Sequence, residues 1–147
     1  MTPIHPLESR PIHILLVEDD DGDAKAVQRA FVRAHIANPF CRALDGLEAL
    51  DILRGGNGRE KLKPPRLLLV DLNMPRMNGI ELVTALRDDP ELHQLVVFIL
   101  TTSQRDEDMA AAYGLNVAGY IVKEKAGEDF LRLCGLIDSY WRIVELP

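Results

Sequence analysis

The sequence predicts an α/β fold: a doubly wound, five-stranded parallel sheet with helices on both faces. Three observations predict it. Two apolar runs, Leu67–Val70 and Leu95–Leu100, show no polar alternation, the mark of strands buried on both faces. Runs of this kind alternate with segments of helical periodicity, in the order βαβαβαβαβα. Each strand-like run ends on a polar residue, and right-handed crossovers put all those ends on one edge of the sheet.

Taken in order, Ile12–Val17 is the first strand, ending in the acidic loop Glu18-Asp19-Asp20-Asp21-Gly22-Asp23. Val27, Ala30, Phe31 and Ala34 share one face of the first helix, with Asp23 as its expected N-cap. Asn38-Pro39 closes that unit, because a residue before proline resists helical geometry. Phe40–Leu44 is a weaker second strand, stopped at Asp45-Gly46. Leu47, Leu50 and Leu53 then define a short second helix that ends at Gly55-Gly56. The stretch from there to Pro65 reads as an exposed loop.

The third strand, from Arg66 into Asp71, is stopped by Pro75. Asn78-Gly79 marks a turn, and Ile80, Val83 and Leu86 carry a third helix as far as Asp89-Pro90. Leu95–Leu100 is the fourth strand and ends at Thr101-Thr102-Ser103. Asp106–Tyr113 is a fourth helix, with Gly114 as its expected C-cap. Gly119–Val122 is the last strand, ending at Lys123. Phe130, Leu133, Cys134, Ile137 and Trp141 trace the apolar face of a fifth helix.

Length and composition set bounds. The 147 residues fit one domain with a full core: residues 1–11 read as an irregular N-terminal extension and 12–147 as the domain. A composition 47% hydrophobic and 27% charged is that of a soluble globular protein. The formal charge of -6 argues against nucleic acid as a partner. No apolar run nears the ~20 residues of a membrane helix, and the proline-rich start lacks the apolar core of a secretory signal. Cys41 and Cys134 have no metal-ligand spacing and read as two buried thiols in a reducing compartment. The expected location is cytoplasmic.

The strand ends carry the chemistry. The first delivers Glu18 and Asp19, the third Asp71, the fourth Thr101 and the fifth Lys123. Clustered carboxylates repel one another unless a cation holds them. A few carboxylates with room for water suit Mg²⁺, and the absence of Cys and His from the set argues against zinc. A carboxylate beside Mg²⁺, with a lysine and a hydroxyl close by, can attack a phosphoryl group and have the resulting charge neutralised. Asp71 is the natural nucleophile, Lys123 the point charge and Thr101 the hydrogen-bond donor.

The chain from Ile12 to about Trp141 resembles the receiver domains of two-component response regulators. The markers are Leu16-Val17-Glu18-Asp19-Asp20, Asp71-Leu72-Asn73-Met74-Pro75 with Asn78-Gly79, Leu100-Thr101, and Gly119-Tyr120-Ile121-Val122-Lys123. The resemblance implies a flavodoxin-like sheet of strand order 2-1-3-4-5. It also implies phosphorylation of Asp71 by a histidine kinase, with Mg²⁺ held by Glu18, Asp19, Asp71 and the backbone carbonyl of Asn73. Thr101 and Tyr120 would form the switch that alters the surface of the fourth helix, fifth strand and fifth helix. Asn73 and Ser103 match the family's positions that tune phosphoryl lifetime.

More narrowly, the loop from Gly55 to Pro65, the Leu100-Thr101-Thr102-Ser103 run and the tail from Tyr140 to Pro147 resemble the stand-alone regulators paired with bacterial and cyanobacterial phytochromes. That implies a phytochrome-linked kinase, no output domain, and a homodimer formed through the helix four, strand five and helix five face or the tail at 140–147. The family places a proline after the lysine, often with a cis bond, whereas Glu124 follows Lys123 here. A cis non-proline bond costs ~3 kcal/mol, so this loop is expected to be trans or strained.

Two other classes compete. An aspartate-nucleophile phosphatase shares the strand-end Asp and the metal, but commonly needs a second Asp where Asn73 stands and an insertion that caps its substrate. A receiver fold signalling without phosphorylation would not need the acidic loop, Asp71, Thr101 and Lys123 together. A nucleotide switch is excluded by the lack of a GxxxxGK[ST] or GxGxxG loop.

Overall fold

Successive side chains of a strand point to opposite faces of its sheet, and here both faces are apolar. The computed structural model describes residues 12–33, 38–101 and 106–122. Its strands are β1 (His13–Val17), β2 (Phe40–Ala43), β3 (Arg66–Asp71), β4 (Val96–Thr101) and β5 (Gly119–Val122). All pairings are parallel, in the order β2-β1-β3-β4-β5. The helices are α1 (Asp21–Arg33), α2 (Gly46–Arg54), α3 (Gly79–Asp88) and α4 (Asp106–Gly114).

On one face Leu15, Val17, Leu68, Val70, Val97 and Ile99 pack with Ala49 and Leu53 of α2, Leu82, Val83 and Leu86 of α3, and Ala112 of α4. On the other, Ile14, Leu16, Leu67, Leu69 and Leu100 pack with Ala24, Val27 and Phe31 of α1. The Phe31 ring meets the Phe40 ring edge-on, with centroids 5.5 Å apart, which seats α1 against the edge strand. β3 is the central strand and is buried throughout, which is why its sequence shows no alternation. β2 lies at the sheet's edge and is mostly half-buried, which explains its mixed pattern.

Arg87, near the end of α3, fastens two connections. Its guanidinium donates to the carbonyls of His93 and Leu95 at 2.8 Å, Leu115 at 2.7 Å and Asn116 at 3.1 Å. These bonds anchor the turns before β4 and after α4 by satisfying backbone carbonyls that lie outside the strands.

Several local expectations need correcting. Asp23 is not the cap of α1. The Asp20 carboxylate accepts the Asp23 N–H at 2.7 Å and the Asp20 carbonyl accepts that of Ala24, so the cap lies three residues earlier. Leu47 is 43% exposed, and α2 buries Ala49, Leu50, Ile52 and Leu53. Gly114 is the last residue of α4 rather than its cap. The left-handed position falls on Asn116 (φ 60°), after a final turn tightened by Leu115 and Asn116 N–H bonds to Ala112 and Tyr113. Cys41 is half-buried, and burial pushes its thiol pKa up.

The extension at 1–11, Ala34, Cys134, the fifth helix and the tail lie outside the described residues. Among those described, no helix is long and apolar enough to cross a membrane.

Candidate functional site: an acidic cluster at the sheet switch point

The chain leaves β1 for one edge of the sheet, returns over it to β3 and continues the other way. The crevice between the carboxyl ends of β1 and β3 is therefore the point where the winding reverses, the usual ligand site of an open α/β sheet. Val17 lies level with Val70, and the next residues along the two strands are Glu18 and Asp71.

Glu18, Asp19 and Asp71 each place a carboxylate oxygen within 4.8 Å of the other two. Glu18 is 1% exposed and Asp71 6%, while Asp19 faces solvent. Three carboxylates this close repel one another, and burial of two of them raises the cost. The donor set is oxygen alone, with one side open to water. That fits a hard divalent cation of the Mg²⁺ or Mn²⁺ kind and gives zinc none of its preferred ligands.

The loops around the cluster are fixed from both sides. The Glu18 N–H donates to Ala43 O at 2.9 Å, so the acidic loop leaves β1 still paired to β2. The loop that follows Asp71 is closed by Gly79 N–H on Leu72 O at 2.9 Å. Asn78 then caps α3: its side chain accepts the Glu81 N–H, and Glu81 accepts that of Asn78. In the middle of this loop Arg76 adopts a left-handed backbone (φ 63°), and its guanidinium bonds the buried Asp45 carboxylate. The Gly46 N–H donates to Met77 O at 3.2 Å beside it. Asn73 lies exposed in this loop, two residues past Asp71.

Asp71 is level with Leu100, so Thr101 ends β4 one residue further along, itself level with Val122 of β5. Adjacent strands are roughly 4.8 Å apart, which puts the Thr101 backbone one strand away from Asp71; the orientation of its hydroxyl lies outside what the structure describes. Tyr120 is level with Ile99 and packs, partly buried, against the face that holds α2 and α3. Lys123, Glu124, Thr102 and Ser103 lie outside the described residues.

Sequence reasoning gave the carboxylates but not their braces. Arg76 and Asp45 are 31 residues apart and Arg42 lies 24 from the Glu18 it contacts, and no periodicity links such pairs. The one available signal was Asp45-Gly46, read as a strand end.

Comparison with known proteins agrees with this geometry. The family "Response regulator receiver domain" matches residues 14–133. Response regulator Rcp1 of Synechocystis sp. is 34% identical over 138 residues, covering 93% of this chain and 94% of that protein. The crystal structure of the phosphorylated cyanobacterial phytochrome response regulator RcpA superposes with a TM-score of 0.80 at 30% identity, covering 92% of this chain and 97% of that one. The Mn²⁺-bound form of response regulator Rcp1 gives 0.79 at 33%, covering 94% and 99%.

Proposed function

This chain belongs to the response regulator receiver family, and from that premise we propose that it is a phosphorylation-controlled signalling switch with Asp71 as phosphoacceptor. The observation that carries the reading is the close cluster of Glu18, Asp19 and Asp71 at the switch point of the sheet.

In the proposed transfer an Asp71 carboxylate oxygen attacks the phosphorus of a kinase phosphohistidine. The new O–P bond forms as the N–P bond breaks, and the leaving imidazole keeps the bonding pair. Glu18, Asp19, Asp71 and the Asn73 carbonyl would hold Mg²⁺, which would supply charge neutralisation among the crowded oxygens. Thr101 donates a hydrogen bond to the new phosphoryl group, and the Lys123 ammonium balances its charge. Tyr120 then changes packing with Thr101, shifting the population of two surface states around α4 and β5.

Similarity to solved regulators named for cyanobacterial and bacterial phytochromes supports a phytochrome-linked histidine kinase as the donor. The working compartment is the cytoplasm, and the partners are proteins rather than nucleic acid or a bilayer. The chain also forms a homodimer through the face of α4, β5 and the segment after it, or through the tail at 140–147. Half-exposed Tyr113 on α4 supports that surface. A monomer by light scattering with and without phosphorylation would refute the dimer.

The deciding experiment is labelling by acetyl phosphate or a histidine kinase with Mg²⁺. Wild type is expected to label, Asp71→Asn not at all, and chelation is expected to suppress the reaction. Absence of label on wild type overturns the reading.

A further inference from the structure

Arg42 lies on the edge strand β2, level with Leu16, and its side chain is 23% exposed. Its Nε donates to the Glu18 carbonyl at 3.0 Å, and its Nη1 to the Asp21 carboxylate at 2.7 Å. The Glu18 N–H is held by Ala43 O, the residue after Arg42. Both backbone polar groups of Glu18 are thus bonded to β2, one to its main chain and one to its arginine. Through Asp21 the same guanidinium also holds the first turn of α1. A planar fork with donors pointing in different directions makes such a two-point grip; a lysine ammonium does not.

We propose that Arg42 is a positioning residue for divalent-cation binding, holding the loop that carries Glu18 and Asp19 in its binding geometry. This rests on the reading of Glu18, Asp19 and Asp71 as the cation ligands. Five carboxylates lie between Glu18 and Asp23, and mutual repulsion would otherwise spread that loop. The electrostatic role of Arg42 has the opposite sign to its positioning role. A guanidinium near a cation site, neutralising a nearby carboxylate, lowers the local attraction for a second cation. Removing it should tighten metal binding if charge dominates and weaken it if geometry does.

The test is Mn²⁺ binding to the unphosphorylated protein, followed by electron paramagnetic resonance at fixed ionic strength and well below the melting temperature. Arg42→Ala is expected to weaken binding roughly tenfold, the lower end of what residues orienting metal ligands contribute. Arg42→Lys, which keeps the charge but not the fork, is expected to weaken it by a smaller factor. Wild-type affinity or tighter binding in Arg42→Ala overturns the proposal. If circular dichroism shows that Arg42→Ala does not fold, Arg42→Lys decides: weaker binding upholds the positioning role, and unchanged binding overturns it. Failure of wild type itself to bind Mn²⁺ would instead remove the metal reading of the three carboxylates, and this proposal with it.

Discussion

Gly79 starts α3 with its Cα pressed against the end of β3. A Cβ there would lie 2.5 Å from the Asp71 carbonyl oxygen and 2.9 Å from Leu72 Cα, both parts of the backbone where β3 ends, tied to Leu100 of β4 by strand pairing and the Leu72 N–H. At Gly46 a Cβ would lie 2.6 Å from Met77 Cγ, 2.8 Å from its Sδ and 2.9 Å from its Cβ; turning this flexible side chain relieves the first two contacts and leaves a small shift for the third. Gly79→Ala is therefore expected to cost about 2 kcal/mol, within the range for forced overpacking, and Gly46→Ala distinctly less. Because the displaced atoms belong to Asp71 and its neighbour, Gly79→Ala should also slow labelling by acetyl phosphate. Urea denaturation of the two variants beside labelling rates would check this, and an equal or larger cost at Gly46 would contradict it. The Asn-Gly pair looks like a turn in sequence because turns favour those residues. Here it combines a capping side chain with a close backbone approach, and only the folded neighbour supplies the second reason.

Among the elements, α2 ties the site to the edge of the sheet through one side chain. Asp45 caps α2 by accepting the Glu48 N–H at 2.9 Å, and its other oxygen takes the Arg76 guanidinium. Burial alone would raise the Asp45 pKa, but the Glu48 N–H, the Arg76 guanidinium and the Leu47 N–H together hold it below the usual carboxylate value. A depressed folded-state pKa contributes stability above the unfolded value, and that contribution is lost as pH falls through the folded one. Asn caps a helix as well as Asp does, so Asp45→Asn isolates the ion pair. Arg76 is 62% exposed, so screening limits the loss to about 1 kcal/mol at pH 7. The deficit should hold at pH 5 and shrink below about 4, near the unfolded carboxylate pKa. Denaturation across that pH series tests it, and a deficit that grows on acidification would contradict it. The helices themselves were legible because repeated apolar spacing fixes them by many residues at once. Their ends were less so: Asp20 rather than Asp23 caps α1, and Asn116 rather than Gly114 takes the left-handed turn. A cap depends on one or two hydrogen bonds, and a run of acids offers several registers for them.

For the molecule as a whole, unbroken apolar runs in the central strands and their alternation with helices made the architecture readable. The family motifs supplied the strand order that periodicity alone leaves open, and the sheet order β2-β1-β3-β4-β5 follows it. The fold then gathers carboxylates from positions 18, 19 and 71 into one crevice. Their mutual repulsion opposes folding, and a bound cation would relieve it. A ligand that binds only the folded state stabilises it by RT ln(1 + [L]/Kd), about 1.4 kcal/mol at ten times Kd. In a domain of this size that raises the melting temperature by about 3–6 °C. Asp19→Asn should remove most of the Mg²⁺ response while raising the melting temperature in chelator, because one repelling charge is gone and Asp19 is exposed. The two shifts have opposite signs, so calorimetry with and without Mg²⁺ separates them from a general change in stability. A variant that melts lower than wild type in chelator, yet gains as much from Mg²⁺, would mean that Asp19 serves the loop's structure and that the cation is held without it.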